Sequence, residues 1–211
     1  MFRQYREIER GEFILAGGDC SQGGEDSNCT QFLSKTRQDV PLVYHAQGVA
    51  ATQTADIYPV LERIYDVTNV KPVVGLERNN GGASEMERLR VLNRAAKFEL
   101  FVMPDIGKTE EKDTTSLGWN TSSLTRPILV GDEKNLIDVN GIGIYDKETI
   151  QQLFWFIINN QGKPEAMKGK HDDCVIALGV AIQMFNHCVQ PVQQEYIPTQ
   201  NDISSRNWSL T

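Results

Sequence analysis

The order of its apolar segments constrains this chain most. Three strand-like runs come first, over residues 13–19, 29–34 and 40–47, joined by short polar links. Strands linked so closely pair as an antiparallel meander. Helical and strand-like periods then alternate. Ile57, Val60, Leu61 and Ile64 recur at helical spacing within 54–68, where Pro59 marks a kink or a late start. Residues 71–77 read as a short buried strand with an acid at its end. Ser84 opens a helix with Met86, Leu89 and Leu92 on one face, and 98–103 reads as a further strand. A helix opened by residues 123–127, with Pro127 in its first turn, and a short strand over 143–145 follow. Asp146 then N-caps a helix over 147–159, and Val175, Leu178, Ala181, Ile182 and Phe185 mark the last strong helix within 172–188. This order predicts an α/β fold. Its mixed sheet combines a three-strand antiparallel meander with parallel strands, and helices flank it.

The 211 residues suit one domain over 1–190, at about 150 residues per domain, followed by a polar, flexible tail over 191–211. Hydrophobic residues make up 40%, enough to build a core and to exclude wholesale disorder. The 21 basic and 28 acidic side chains give a net charge of −7. That argues against a basic nucleic-acid coat protein. It leaves room for a DNA-processing enzyme, whose metal-binding carboxylates add negative charge. The longest purely apolar run, 153–158, falls far short of the roughly 18 residues of a membrane span, and the charged N-terminus has no apolar signal core. Cys20, Cys29, Cys174 and Cys188 show no CxxC spacing, which fits a reducing compartment. Cys174 and Cys188 would lie about 21 Å apart on one helix, too far to join His171 and His187 around one zinc ion.

Three acidic positions stand where one site could form. Asp19 ends the first strand, Glu77 ends a later strand, and Asp172 and Asp173 open the last long helix. Their wide separation in sequence excludes a local calcium loop. In a mixed α/β sheet, however, strand ends and a helix N-terminus can converge on one edge. Clustered acids repel one another unless a cation neutralises them. Oxygen ligands without a Cys or His set suit Mg²⁺ or Mn²⁺. Two such ions about 3.5–4 Å apart can clamp a phosphodiester. On the pattern alone, helix caps and solvated turn acids account for these residues equally well.

Four stretches carry a resemblance: AGGDCSQGGEDS at 16–27, VVGLERNNGG at 73–82, GWNTSSLTRP at 118–127 and KHDDCVIAL at 170–178. Together, and in this order, they resemble the C-terminal nuclease domain of the large terminase subunit of tailed bacteriophages. That family has an RNase H-like fold related to RuvC-type resolvases. The similarity runs from about Phe13 to Phe185. It implies a divalent-metal-dependent endonuclease that cuts concatemeric viral DNA during genome packaging, by two-metal hydrolysis with little sequence specificity. The implied cofactors are two Mg²⁺ or Mn²⁺ ions. Matched position by position, the catalytic and metal-binding acids are Asp19, Glu77 and Asp173, with Asp172 as the neighbour a one-residue shift would exchange for Asp173. RuvC-type enzymes carry a further acid three positions on. Here that place is Ile176, so Asp26 or a water would fill the role. The resemblance also implies double-stranded DNA as substrate and no membrane partner. It implies an N-terminal packaging ATPase, the small terminase subunit and the portal as partners, and action in the host cell cytoplasm.

The basic residues Lys108, Lys112 and Arg126 flank the polar stretch 105–122, and Lys163, Lys168 and Lys170 precede the last helix. They are the candidate DNA-binding residues, as contacts to phosphates. Residues 107–109, Gly-Lys-Thr, lack the upstream glycine of a phosphate loop, because Val102 stands there. Trp119 and Trp155 read as core residues, and His171 as a helix-flanking residue. Two other functions suit parts of the pattern. The acid and glycines of 19–24 could open an actin-like nucleotide-binding module. The acids could also be structural in a non-enzymatic DNA-docking or assembly domain.

Overall fold

Near-continuous apolar or small residues along the central strands, ILAGG in β2 and VVGL in β5, build a sheet buried on both faces. The computed structural model describes residues 1–104 and 116–191. Strands β1 (Phe2–Gln4), β2 (Ile14–Asp19), β3 (Gln22–Ser34) and β4 (Asp39–Val49) come first, followed by α1 (Ala50–Thr68). Then come β5 (Val73–Leu76), α2 (Gly82–Leu92), β6 (Glu99–Leu100), α3 (Thr125–Asp138) and α4 (Lys147–Trp155). A hairpin of β7 (Phe156–Ile158) and β8 (Pro164–Ala166) precedes α5 (Asp173–His187). The main sheet has the order β1-β4-β3-β2-β5-β6. Pairing is antiparallel from β1 to β2 and parallel from β2 to β6. The expected meander with added parallel strands is therefore present.

Successive side chains of a strand point to opposite faces. Leu15, Cys29, Leu33, Val43 and Val73 pack against α5 and its neighbour α3. Ile14, Ala16, Phe32, Leu42, Val74 and Leu76 pack against α1 and α2. Ile14 and Leu15 are fully buried, and burying such a side chain stabilises the fold by about 1.5–3 kcal/mol. Helix α1 runs through Pro59. The lost backbone bond is offset because Ile57, Leu61 and Ile64 are buried on one face.

Several local expectations differ from what is observed. The polar, Gly-rich link expected between residues 19 and 29 is mostly strand, because β3 already begins at Gln22. Gln22 pairs with Val49 and Ser27 with Gln47, with a bulge between them. Gly23 (φ 98°) and Gly24 (φ 89°) supply the left-handed backbone that such a bulge needs. Residues 143–145 form no strand, only a bridge from Gly143 to Asp39. The helix expected to reach residue 159 stops at Trp155, and the chain turns into β7. Phe154 is 80% exposed and Trp155 only half-buried, so this aromatic run is not core. Its apolar density mimicked a buried helix. Trp119, by contrast, is fully buried. No helix among the described residues is long and apolar enough to cross a membrane.

Candidate active site

Strand parity decides which way the acids face. Leu15, Gly17 and Asp19 share one face of β2, and Val73, Gly75 and Glu77 share the same face at β5. The two strands pair in parallel, with Leu15 opposite Val73 and Gly18 opposite Leu76. One step further, Asp19 and Glu77 emerge side by side, toward α5. A glycine stands two residues before each acid. A Cβ at Gly17 would lie 2.2 Å from the backbone nitrogen of Ala181, and one at Gly75 would lie 3.0 Å from Met184 Sδ. The missing side chains let α5 press against the sheet, which brings its N-terminus to the edge where the strands end.

The backbone of Glu77 is held from both sides. Its N–H donates to Gly18 O (2.7 Å), the N–H of Arg78 donates to Trp119 O (2.7 Å), and that of Trp119 donates to Leu76 O (2.9 Å). Asn79 Nδ2 donates to Glu77 Oε1 (3.3 Å) and to Thr121 O (3.2 Å). A Cβ at Gly82 would lie 1.8 Å from Glu77 O, so α2 starts in tight contact with this acid.

The two acids at α5 have different company. Asp173 is buried, and the backbone N–H of Ser27 donates to its Oδ2 (3.2 Å). Asp172 accepts from Arg126 Nη2 (2.8 Å), whose Nε donates to Pro164 O (3.0 Å). A depression of about 350 Å³ gathers Asp19, Glu77, Asp172 and Asp173 with Asp26, and Ile176 and Arg126 also line it. His171 Nδ1 stands 3.5 Å from Asp26.

The expected acids are thus brought to one place. Among the described residues, however, no three His, Cys, Asp or Glu side chains stand in ready-made ion-holding geometry. The carboxylates ring the depression without closing on a point. Of the candidate phosphate contacts, Arg126 reaches the site. Lys168 and Lys170 are exposed and do not line it, and Lys170 Nζ lies 4.0 Å from the centre of the Trp155 ring. Lys108 and Lys112, with the Gly-Lys-Thr stretch, lie outside the described residues.

The electrostatics of the ring are those of an unneutralised cluster. Burial, then the charges of Glu77, Asp173 and Asp172, push Asp19 well above the usual carboxylate range. Burial pushes Asp173 up to about 6, against the lowering effect of the Ser27 N–H. Asp19 Oδ1 is buried without a hydrogen-bond partner, which is costly for an oxygen unless something else binds it. Burial also pushes the nearby Cys20 thiol well up, so the available donors are hard oxygens. This set fits a hard divalent cation.

Sequence reasoning named the acids that meet here but missed the contacts that hold them. The Ser27 N–H and the Arg126–Asp172 pair depend on a bulge and on a helix crossing, and neither leaves a spacing pattern.

The sheet order and flanking helices define an RNase H-like fold, the fold of the large terminase nuclease domains. The chain is similar to the large terminase nuclease of thermophilic phage G20c with bound magnesium, at 17% identity and a TM-score of 0.58, covering 85% of this chain and 84% of that one. It is similar to the large terminase nuclease domain of Thermus phage P74-26, at 16% identity and a TM-score of 0.58, covering 89% and 85%. It also resembles the human cytomegalovirus terminase nuclease domain, soaked in manganese and inhibitor-bound, at 10% identity and a TM-score of 0.53, covering 82% and 84%. No family model and no curated protein matches the sequence.

Proposed function

We propose that this chain is a divalent-metal-dependent endodeoxyribonuclease that cuts concatemeric viral DNA during genome packaging. The observation that carries this reading is the convergence of Asp19, Glu77 and Asp173 in one acid-lined depression, on a fold shared with terminase nucleases seen with bound magnesium or soaked in manganese. Double-stranded DNA is the substrate, and the expected setting is the host cytoplasm. A packaging ATPase, the small terminase subunit and the portal are the partners this role requires.

Asp19, Glu77 and Asp173 would hold Mg²⁺ or Mn²⁺, two ions in this reading. When bound, such ions supply Lewis acidity that activates water and stabilises the leaving oxygen. The chain's own residues prepare that chemistry. Asp19 presents an unpartnered buried oxygen at the end of β2. Asn79 orients Glu77, and the Ser27 N–H orients Asp173. Arg126 occupies Asp172, which favours Asp173 as the principal ligand and leaves Asp172 to balance the arginine. Contacts to the DNA backbone rather than to base edges imply little sequence preference.

Plasmid cleavage in Mn²⁺ tests the proposal. The parent protein should nick and linearise plasmid, and Asp19→Ala should not. Full activity in Asp19→Ala removes Asp19 from the mechanism.

A further inference from the structure

Beside the acid ring lies a second depression, of about 500 Å³. The two share a rim: Asn79 and Arg126 line both. Their chemistry is opposite. Five carboxylates line the first, whereas none lines the second. The second offers Lys163, Ser123, Gln161 and the far side of Arg126, between Pro127 and Pro164. Thr121, also in its lining, has a buried hydroxyl without a hydrogen-bond partner. Lys163 is held only loosely, 3.6 Å from Glu165, and both side chains are substantially exposed.

A concave site with apolar walls and a few converging donors suits a small organic unit with an anionic group. The rings of Pro127 and Pro164 offer apolar surface to a sugar or base. The lysine, the arginine and the hydroxyls suit a phosphate. A strand whose reacting phosphate lies over the acids can lead its next nucleotide across the shared rim at Asn79 and Arg126. Crossing at Asn79 and Arg126 takes that nucleotide from a wall that repels phosphate to one that attracts it. We propose that this second depression is a nucleotide subsite, which holds the sugar-phosphate and base next to the scissile phosphodiester. Arg126 is its hinge, because one guanidinium faces both Asp172 and the incoming phosphate. The inference rests on the nuclease reading and names where the substrate strand runs.

The test is equilibrium binding of a fluorescein-labelled duplex oligonucleotide, read by anisotropy in CaCl₂, so that binding is measured apart from cleavage. Ser123→Glu, which brings a carboxylate into an exposed part of the wall, should raise Kd about ten-fold. Lys163→Ala should raise it about three-fold and lower the salt dependence by about one ion. Lys134→Ala makes the same charge change at the other end of α3, where the lysine pairs with Asp138, and should stay within about two-fold of the parent. The subsite is overturned if Ser123→Glu binds within about two-fold of the parent, or if Lys163→Ala and Lys134→Ala lose equally. Plasmid cleavage by Asp19→Ala is scored separately. If that variant cuts like the parent, the nuclease reading fails whatever the binding series shows.

Discussion

Gln152 Oε1 accepts a hydrogen bond from the backbone N–H of Cys174, at 2.8 Å. A buried side chain from α4 thereby caps α5, a task the sequence would assign to Asp172. Asp172 makes no side-chain cap bond and remains with Arg126. Gln152 therefore fixes the helix turn that carries Asp173. Gln152→Leu should destabilise the protein by about 1–3 kcal/mol, because it leaves a buried donor unsatisfied. Gln152→Glu keeps the acceptor but turns the donation from Nε2 to Glu148 Oε1 (3.2 Å) into a contact between two carboxylates, so it should not restore the loss. If Gln152 positions Asp173, the leucine variant should also lose about ten-fold or more in kcat on DNA with KM little changed. Equal kcat in a folded Gln152→Leu variant would confine the residue to stability.

Mn²⁺ should raise the unfolding temperature of the parent protein, by an amount equivalent to about 2.7 kcal/mol at about 100 times Kd. Asp19→Asn should lose that response. Without metal the same variant should unfold at or above the parent's temperature, since it removes a buried carboxyl whose ionisation is opposed by burial and by three other acids. Thermal melts with and without Mn²⁺ decide this. A variant that still responds to Mn²⁺ like the parent would show that the ions bind elsewhere.

Asp146 ties β1 to α4. Arg3 Nε and Nη2 donate to its carboxylate (2.5 and 3.0 Å), as do Tyr5 Oη and both the N–H and hydroxyl of Thr149 (2.8 Å each). These donors outweigh the effect of burial and hold its carboxyl at about 2. The folded value lies below the unfolded value of about 3.9. The contribution to stability is thus complete above about pH 5 and fades as pH falls from about 4 toward 2. Asp146→Asn should lower stability by about 2 kcal/mol at pH 7. The gap to the parent should narrow in urea titrations carried toward pH 3. A gap that stays constant from pH 7 to 3 would contradict the assignment.

Gly17→Ala places a methyl group 2.2 Å from the Ala181 backbone. Helix α5 must shift away from β2, at a cost of about 1–3 kcal/mol or more, and Asp173 moves with it. The variant should melt lower and respond less to Mn²⁺. Gly131→Ala is the contrasting case, because nothing lies within 4 Å of the added carbon on α3. It should be neutral, or stabilising by about 0.5–1 kcal/mol. Differential scanning fluorimetry of the pair separates steric contact from glycine content.

The elements that carry the site were the legible ones. Phe13 to Asp19 and Val73 to Glu77 each place an apolar run directly before an acid. The last helix announces itself by the stripe from Val175 to Phe185. Less legible was β1, three residues amid charges, which pairs with β4 through Phe2, Arg3 and Gln4. Its stability comes from Arg3 and Tyr5 meeting Asp146, more than 140 positions away. The β7–β8 hairpin was hidden because Phe154, Ile157 and Ile158 are apolar yet exposed. The Arg126 contact to Asp172 belongs to a helix crossing, which no local periodicity encodes.

The pairing of β2 with β5 works as a ruler. The lateral spacing of two hydrogen-bonded strands, about 4.8 Å, sets how far apart Asp19 and Glu77 start, whatever joins them. The interval follows from the register of the pair and not from the number of residues in the β3, β4 and α1 segment that joins them. A slip of one residue in the pairing, however, would turn Glu77 to the opposite side of the sheet. Grafting of this centre onto another scaffold therefore begins with copying two strand ends in register, and then needs the close approach of α5 at Gly17 and the Ser27 N–H that hold Asp173 beside them.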